Sequence, residues 1–329
     1  MFYFIVGIIY IVAFYFLKRF SENREEPMLK VGFVAGAAGY HSVQFAKMFN
    51  GMNESQKHLD PFGGNAPMAT LEGAEVVKVF DENRGNSELL SKLCDISKVA
   101  TNIEEMYEGL DAVFIGDDLN LTQYHYARRF LERGIPTFLD KPIADNVDSA
   151  RELIDVARDF KCLFMSTSAL KYAPEFKALF EESEGIGETV LASVFGPADL
   201  MWRRPFLFYG MHAVTIGHYA VNDRPIEVAD VGTRGRTVVA IKYMKGAQLT
   251  VMCPHNVPVS FEAMVQGTKG SFHGIANDPA AFYSNMLKDF VKMVESGEQT
   301  FDLLKALEVL QICCAQEESV RTGKPIRLG

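Results

Sequence analysis

Lys141 is the side chain in this sequence best placed to move a proton. It lies in the run Ile135-Pro-Thr-Phe-Leu-Asp-Lys-Pro-Ile-Ala144, held between Asp140 and Pro142 where a short apolar segment ends. In open α/β sheets, ligands gather at the carboxyl ends of strands. A lysine there, partly shielded from water, gives up its proton more easily than a surface lysine, which suits general acid/base work near neutral pH. A Lys-Pro pair in isolation more often marks a solvated strand end. The elements that would position it must therefore carry the assignment.

Those elements are legible on the amino side. Lys30 to Val34 reads as a buried strand, Ala35-Gly36-Ala37-Ala38-Gly39-Tyr40-His41-Ser42 as a small-residue turn, and Val43 to Phe49 as a helix. Such a turn lets backbone N–H groups and the helix amino terminus approach a pyrophosphate. The glycines are not spaced as G-x-G-x-x-G, so the turn taken alone is a weak signal. A second strand, Ala74 to Asp81, ends in a carboxylate suited to the ribose hydroxyls of an adenine dinucleotide. That favours NAD(H) over NADP(H), while Arg84 stands close enough to meet a 2'-phosphate. The gap from Gly36 to Asp81 is about twice the usual separation of roughly 20 residues. Asn50 to Gly73, rich in Asn, Gly and Pro, reads as the inserted loop that accounts for it. Leu110 to Gly116 is another buried strand, Asp117-Asp118-Leu-Asn120 its carboxyl-end loop, and Leu121 to Arg133 a helix leading to the strand before Lys141. Successive strand-helix units predict a parallel, doubly wound α/β sheet. His125, on that helix, reads as a partly buried structural histidine.

In this order, the glycine turn at 36 to 39, Asp81, Asn120 with His125, Phe138-Leu-Asp-Lys-Pro-Ile-Ala144 and Gly210-Met-His212 resemble the Gfo/Idh/MocA family of NAD(P)-dependent oxidoreductases. The resemblance runs from about Met28 to the carboxyl terminus and includes Gly267-Thr-Lys-Gly-Ser271 and Glu318-Ser-Val-Arg-Thr-Gly-Lys-Pro-Ile. More narrowly, His41-Ser42, Ser166 to Pro174 and Phe208-Tyr-Gly-Met-His212 resemble a little-characterised branch of that family. It implies a Rossmann domain over 28–165 and, over 166–329, an α/β substrate and oligomerisation domain with an open, mostly antiparallel sheet. It also implies cofactor contacts from Gly36, Ala37, Gly39, Tyr40, Asp81, Asp118, Asn120, His125, Asp140 and Lys141. Lys141 and His212 take the places of the family's catalytic lysine and histidine. The D-x-G-x-H-x-x-D segment is altered, with Phe208 and Thr215 where its acids would stand. Phenylalanine neither accepts nor donates a proton, so the pair Lys141 and His212 replaces a larger set, with His212 able to act as base near neutrality. Lys171 and Tyr172, at the end of a strand starting near Cys162, join Trp202, Arg203, Arg204 and Tyr209 as candidate contacts to a sugar or polyol.

Bulk composition fits this reading. The chain has 329 residues, 48% hydrophobic and 23% charged, with a net charge of -9, so it is long enough for two domains. It carries no basic stripe for nucleic acid. Five scattered cysteines, with Cys313-Cys314 in a helical pattern, suggest reduced thiols in a cytoplasmic setting, and no histidine spacing suggests a metal. Phe2 to Leu17 is an unbroken apolar run followed by Lys18-Arg19, at the short edge of a membrane span. Residues 1–27 are thus either an anchor holding the domain on the cytoplasmic face or an extension ahead of a natural start at Met28. The expected activity is hydride transfer between a nicotinamide and a secondary alcohol carbon of a small carbohydrate-like molecule, in a homo-oligomer. The alternatives are an NAD-binding lyase or hydrolase using transient oxidation, a non-catalytic cofactor-binding relative, and a membrane-tethered structural protein that binds no nucleotide.

Overall fold

The structure is a computed structural model that describes residues 28–116, 121, 123–181, 183–198 and 203–329. The apolar run Phe2 to Leu17 and the candidates Asp118, Asn120 and Trp202 lie outside the described residues. Strand β1 (Leu29–Val34) leads into helix α1 (Tyr40–Asn50), then β2 (Ala74–Phe80), α2 (Arg84–Leu93), β3 (Lys98–Val99), β4 (Ala112–Ile115), α3 (Tyr124–Leu131), β5 (Thr137–Leu139), α4 (Val147–Asp159) and β6 (Phe164–Met165). These strands form one six-stranded parallel sheet in the order β3-β2-β1-β4-β5-β6. Every residue of β4 and the last four of β1 are buried, as expected for strands covered on both faces.

Register decides where the chemistry gathers. Val34 pairs with Phe80 and with Ile115, and Ile115 pairs with Leu139. The glycine turn, Asp81 and Asp140-Lys141 each follow one of these residues directly. All three therefore emerge on the same carboxyl edge of the sheet.

The second half opens with the short helices α5 (Pro174–Glu181) and α6 (Ser183–Ile186) and β7 (Thr189–Phe195). It continues through α7 (Met211–Val221), β8 (Pro225–Asp230), β9 (Arg236–Tyr243), β10 (Gln248–Pro254), β11 (Phe261–Gly267), β12 (Ser271–Ala276), α8 (Pro279–Ser296), α9 (Leu303–Thr322) and β13 (Ile326–Arg327). Its seven strands order as β12-β11-β7-β10-β9-β8-β13, antiparallel except for β7 beside β10. Alternation places Leu249, Val251 and Cys253 of β10 on the buried face, against which α7 packs. At Gly217 of α7 an added Cβ would press on the Leu249 side chain, so glycine favours this close approach.

Helix α8 returns to the first sheet, where Met286, Leu287 and Phe290 join the same buried cluster as Phe33, Phe114 and Phe138. The rings of Phe138 and Phe290 meet edge to face with centroids 5.5 Å apart. The segment from Gly51 to Gly73 is irregular apart from a 3-10 turn at Glu54–Leu59. It is fastened to α1 by an ion pair between Lys47 Nζ and Asp60 Oδ2, 2.9 Å apart and fully enclosed.

All five cysteines are free thiols, and Cys313-Cys314 lie in α9. Among the described residues no helix is long and apolar enough to cross a membrane, and no cluster of His, Cys, Asp and Glu suits a metal ion.

Candidate active site

The turn after β1 is built for close approach. Ala35 and Gly36 take left-handed φ values of 59° and 55°. Gly39 N–H donates to Gly36 O at 2.7 Å, and a Cβ at Gly39 would come within 2.9 Å of that oxygen. No side chain caps the amino terminus of α1, so its first-turn N–H groups remain open to an anion. Asp81 Oδ2 accepts from Ala37 N–H at 2.8 Å, tying the end of β2 to the turn. An uncapped helix start, a turn too tight for larger residues and a carboxylate beside it fit a dinucleotide. Arg84 is turned away into a surface pair with Glu88, 2.8 Å apart. His125 lies near the start of α3, exposed rather than partly buried, with its ring against Tyr124; an amphipathic first turn is enough to place it outward.

A cavity of about 530 Å³ opens beside this turn. Asp140, Lys141 and Thr167 line it from the Rossmann sheet, Tyr40, His41 and Phe62 from α1 and the loop after it, and Phe208, Tyr209 and His212 from the start of α7. Phe261 of β11 and Phe282, Tyr283 and Met286 of α8 close its remaining wall. Lys141 and His212, predicted from positions 71 residues apart, thus share one cavity.

Lys141 is 3% exposed. Its Nζ donates to Phe208 O at 3.4 Å and stands 4.2 Å from the centroid of the Phe208 ring. Phe208 therefore holds the lysine through a π face and a carbonyl. Thr215 turns inward along its own helix and donates to Met211 O at 2.8 Å.

A π-helical turn, Phe206–Gly210, precedes α7 and sets Phe208, Tyr209 and His212 facing the cavity. Such single turns recur at functional sites. His212 Nδ1 pairs with Ser168 Oγ at 2.7 Å, which leaves Nε2 as the ring nitrogen available to the cavity. Burial first, then the charges of Lys141 and His41, hold His212 well below the ordinary imidazole range. This corrects the expectation of a histidine titrating near neutrality: His212 is neutral at pH 7 and stays neutral into the acid range.

His41, Tyr283, Ser168 and Phe62 were not singled out from the sequence as site residues. His41 Nδ1–H donates to Asp140 Oδ2 at 2.7 Å, and its Nε2 faces the Tyr283 hydroxyl at 3.2 Å. Asp140 Oδ1 meanwhile accepts from Lys141 N–H at 2.9 Å, so both carboxylate oxygens are engaged beside the lysine. Ser168 had a local signal, since a serine ahead of a turn commonly caps it. Its Oγ accepts from Leu170 N–H at 3.2 Å. Tyr283 and Phe62 reach the site only through tertiary packing.

Several candidates fall elsewhere. The strand expected from Cys162 to Tyr172 ends at Met165, because the Ser168 cap starts a 3-10 turn at Ala169–Tyr172. That turn carries Lys171 and Tyr172 out of the cavity, correcting their assignment as substrate contacts. Lys171 Nζ instead packs against the rings of Tyr172, Tyr219 and Phe301, and burial lowers its pKa. Tyr172 donates to Asp289 Oδ2 at 2.6 Å. Arg203 is exposed, and Arg204 is spent on Glu317, its Nε donating to Oε1 at 2.9 Å. Tyr209 alone of the described substrate candidates lines the cavity.

Comparison with known proteins agrees with this layout. The family model GFO_IDH_MocA, an oxidoreductase family with an NAD-binding Rossmann fold, matches residues 35–168. No curated protein matches the sequence. Among solved structures, a probable dehydrogenase from Thermotoga maritima superposes with a TM-score of 0.75 at 16% identity, covering 91% of this chain and 98% of its own. A putative myo-inositol dehydrogenase from Sinorhizobium meliloti 1021 gives 0.75 at 18% identity, covering 92% and 100%. A myo-inositol dehydrogenase from Lactobacillus casei, in complex with NAD(H) and myo-inositol, gives 0.76 at 14% identity, covering 92% and 97%. These likenesses establish a shared fold.

Proposed function

We propose, from the match of residues 35–168 to the Gfo/Idh/MocA family of NAD-binding oxidoreductases, that the whole chain transfers hydride between NAD(H) and a secondary alcohol carbon of a small molecule. The observation that carries this reading is the meeting of Lys141 and His212 in one cavity beside the open amino terminus of α1. The N–H groups after Gly39 would hold the pyrophosphate and Asp81 the adenosine ribose. When bound, the nicotinamide supplies the hydride acceptor or donor.

The chain's own residues handle the proton. In alcohol oxidation His212, kept neutral by burial, is free to accept the hydroxyl proton through Nε2 while Ser168 fixes the ring. Lys141, held by Phe208, places its amine where negative charge grows on the oxygen; in the reverse direction it polarises the carbonyl. His41 and Asp140 fix the backbone at Lys141 from behind. Aromatic walls limit water around the reacting carbon.

Replacing Lys141 by Met tests the assignment, since it keeps much of the apolar stem and removes the amine. Acid/base groups of this kind contribute on the order of 100-fold to 10,000-fold in rate. Turnover, followed at the nicotinamide absorbance on the best substrate of a panel of secondary alcohols and polyols, is expected to vanish with NADH affinity changed only a few-fold. Retention of more than about a tenth of parental activity would make Asp140-Lys141-Pro142 a structural element. A second reading, a lyase or hydrolase that oxidises its substrate only transiently, is favoured by Phe208 and Thr215 in place of acids. It predicts product formation without net accumulation of NADH.

A further inference from the structure

We infer that the substrate joins its oxidisable carbon to an apolar, ring-sized body, and that a free polyol is a poor ligand. The inference rests on the proposed function for the identity of the reacting group and on the cavity wall for the rest. Several of the polar side chains among the described lining residues are already engaged with one another or with the backbone. Asp140 is the only carboxylate among the described lining residues, and it accepts from His41 and from the Lys141 backbone. His41 is engaged through both ring nitrogens, and Thr167 Oγ1 donates to Ser168 O at 3.3 Å. No Asn, Gln, Glu or Arg lines the cavity among the described residues.

A polyol brings a donor on every carbon and needs acceptors in matching number, because a hydroxyl enclosed without a partner is costly. Among the described residues this wall offers Lys141, His212 Nε2 and the hydroxyls of Tyr40, Tyr209 and Tyr283, fewer than the hydroxyls of a six-carbon polyol. The remainder is apolar: Phe62, Val259, Phe261, Pro279, Phe282 and Met286. Two of these stay exposed at the protein surface, Phe62 at 37% and Val259 at 69%. Large apolar side chains left exposed beside a cavity point to a ligand that covers them. A flat or alicyclic hydrocarbon group carrying one hydroxyl or ketone meets this division, with its oxygen at Lys141 and its body against the rings.

The test uses the full chain and three probes that share a six-membered ring: myo-inositol, cyclohexanol and trans-2-phenylcyclohexanol. Calorimetric titration is run in saturating NAD+ and again without cofactor. The aryl alcohol is expected to bind at least about tenfold more tightly than either of the others, a difference of about 1.4 kcal/mol. Val259→Asp, at an exposed position that tolerates charge, is expected to remove most of that advantage. Equal or tighter binding of myo-inositol, or no heat from the aryl alcohol in either condition, would overturn the inference. A prior titration with NADH separates the two claims: absence of NADH binding defeats the proposed function, while the cofactor-free titrations still decide the ligand class.

Discussion

Replacing Lys47 by Met is expected to be the most destabilising single change on the floor of the nucleotide half. Lys47 and Asp60 are each fully enclosed, with Nζ 2.9 Å from Oδ2. The same amine donates to Asn65 O at 3.0 Å, and Asp60 Oδ1 accepts from Phe62 N–H at 2.8 Å. Removing the ammonium leaves a buried carboxylate with a single remaining partner. Breaking one side of such a pair costs about 3 to 5 kcal/mol, whereas removing both charges is far milder. Adding Asp60→Asn to Lys47→Met keeps an acceptor for Phe62 N–H and eliminates the stranded charge, so the double variant is expected to regain at least about 2 kcal/mol of that loss. Urea titrations followed by circular dichroism measure all four members of the cycle. Phe62, edge to face with Tyr40 at 5.1 Å, rides on this loop at the cavity wall, so the single variant is also expected to be cleaved faster between Gly51 and Gly73 by a protease. A Lys47→Met protein within about 1 kcal/mol of the parent, or a double variant less stable than the single, would refute the view that the pair fastens the loop.

Stability is expected to fall with acidity through His212. Its imidazole stays neutral when folded while the unfolded chain takes up a proton below about pH 6.5. The stability present above that value is therefore lost as pH falls toward the lowered folded value, at up to about 1.4 kcal/mol per pH unit. His212→Asn is expected to flatten that slope between pH 7 and 5, and parallel slopes for the two proteins in urea titrations would count against it. NADH is expected to bind at least about tenfold more tightly than NADPH because Asp81 repels a 2'-phosphate; equal affinities in calorimetry would reject Asp81 as the ribose ligand. A chain beginning at Met28 is expected to be folded and to bind NADH, and failure to fold where the full chain succeeds would place residues 1–27 in the globular core.

What could be read in advance depended on whether the signal was local. Strand β4 is a continuous apolar run and β1 and β2 are largely apolar between turn residues, broken by Lys30 in β1 and by Glu75 and Lys78 in β2, and the small-residue turn at Ala35 to Gly39 announces its own geometry. Lys141 was visible because proline and aspartate bracket it at a strand end. His41 gave no such signal, since its partner Asp140 lies 99 residues away and meets it only after β1 and β5 come into register. Lys47 reads as a polar position in an amphipathic helix until the loop after α1 folds Asp60 onto it. Lys171 misled for the converse reason: a lysine beside a tyrosine suggests a ligand contact, but the Ser168 cap bends the chain and buries the amine among rings. The left-handed Ala35 is equally hidden from the sequence, where an alanine ordinarily argues for helix.

The pole of the cavity is assembled from three parts of the fold, each contributing what it supplies most cheaply. The parallel sheet brings Asp140 and Lys141 to its carboxyl edge, where register leaves no choice of side. The π-helical turn before α7 supplies His212 already aimed, with Gly210 allowing the Phe206 ring to within 2.6 Å of where a Cβ would sit. Helix α1 supplies both an amino terminus that no side chain caps and His41 one residue further on. His41 touches Asp140, and Asp140 the Lys141 backbone, so two hydrogen bonds join the start of α1 to the segment that carries the lysine. These two bonds involve neither Phe208 nor Thr215, so the connection between α1 and Lys141 is independent of the residues at those positions.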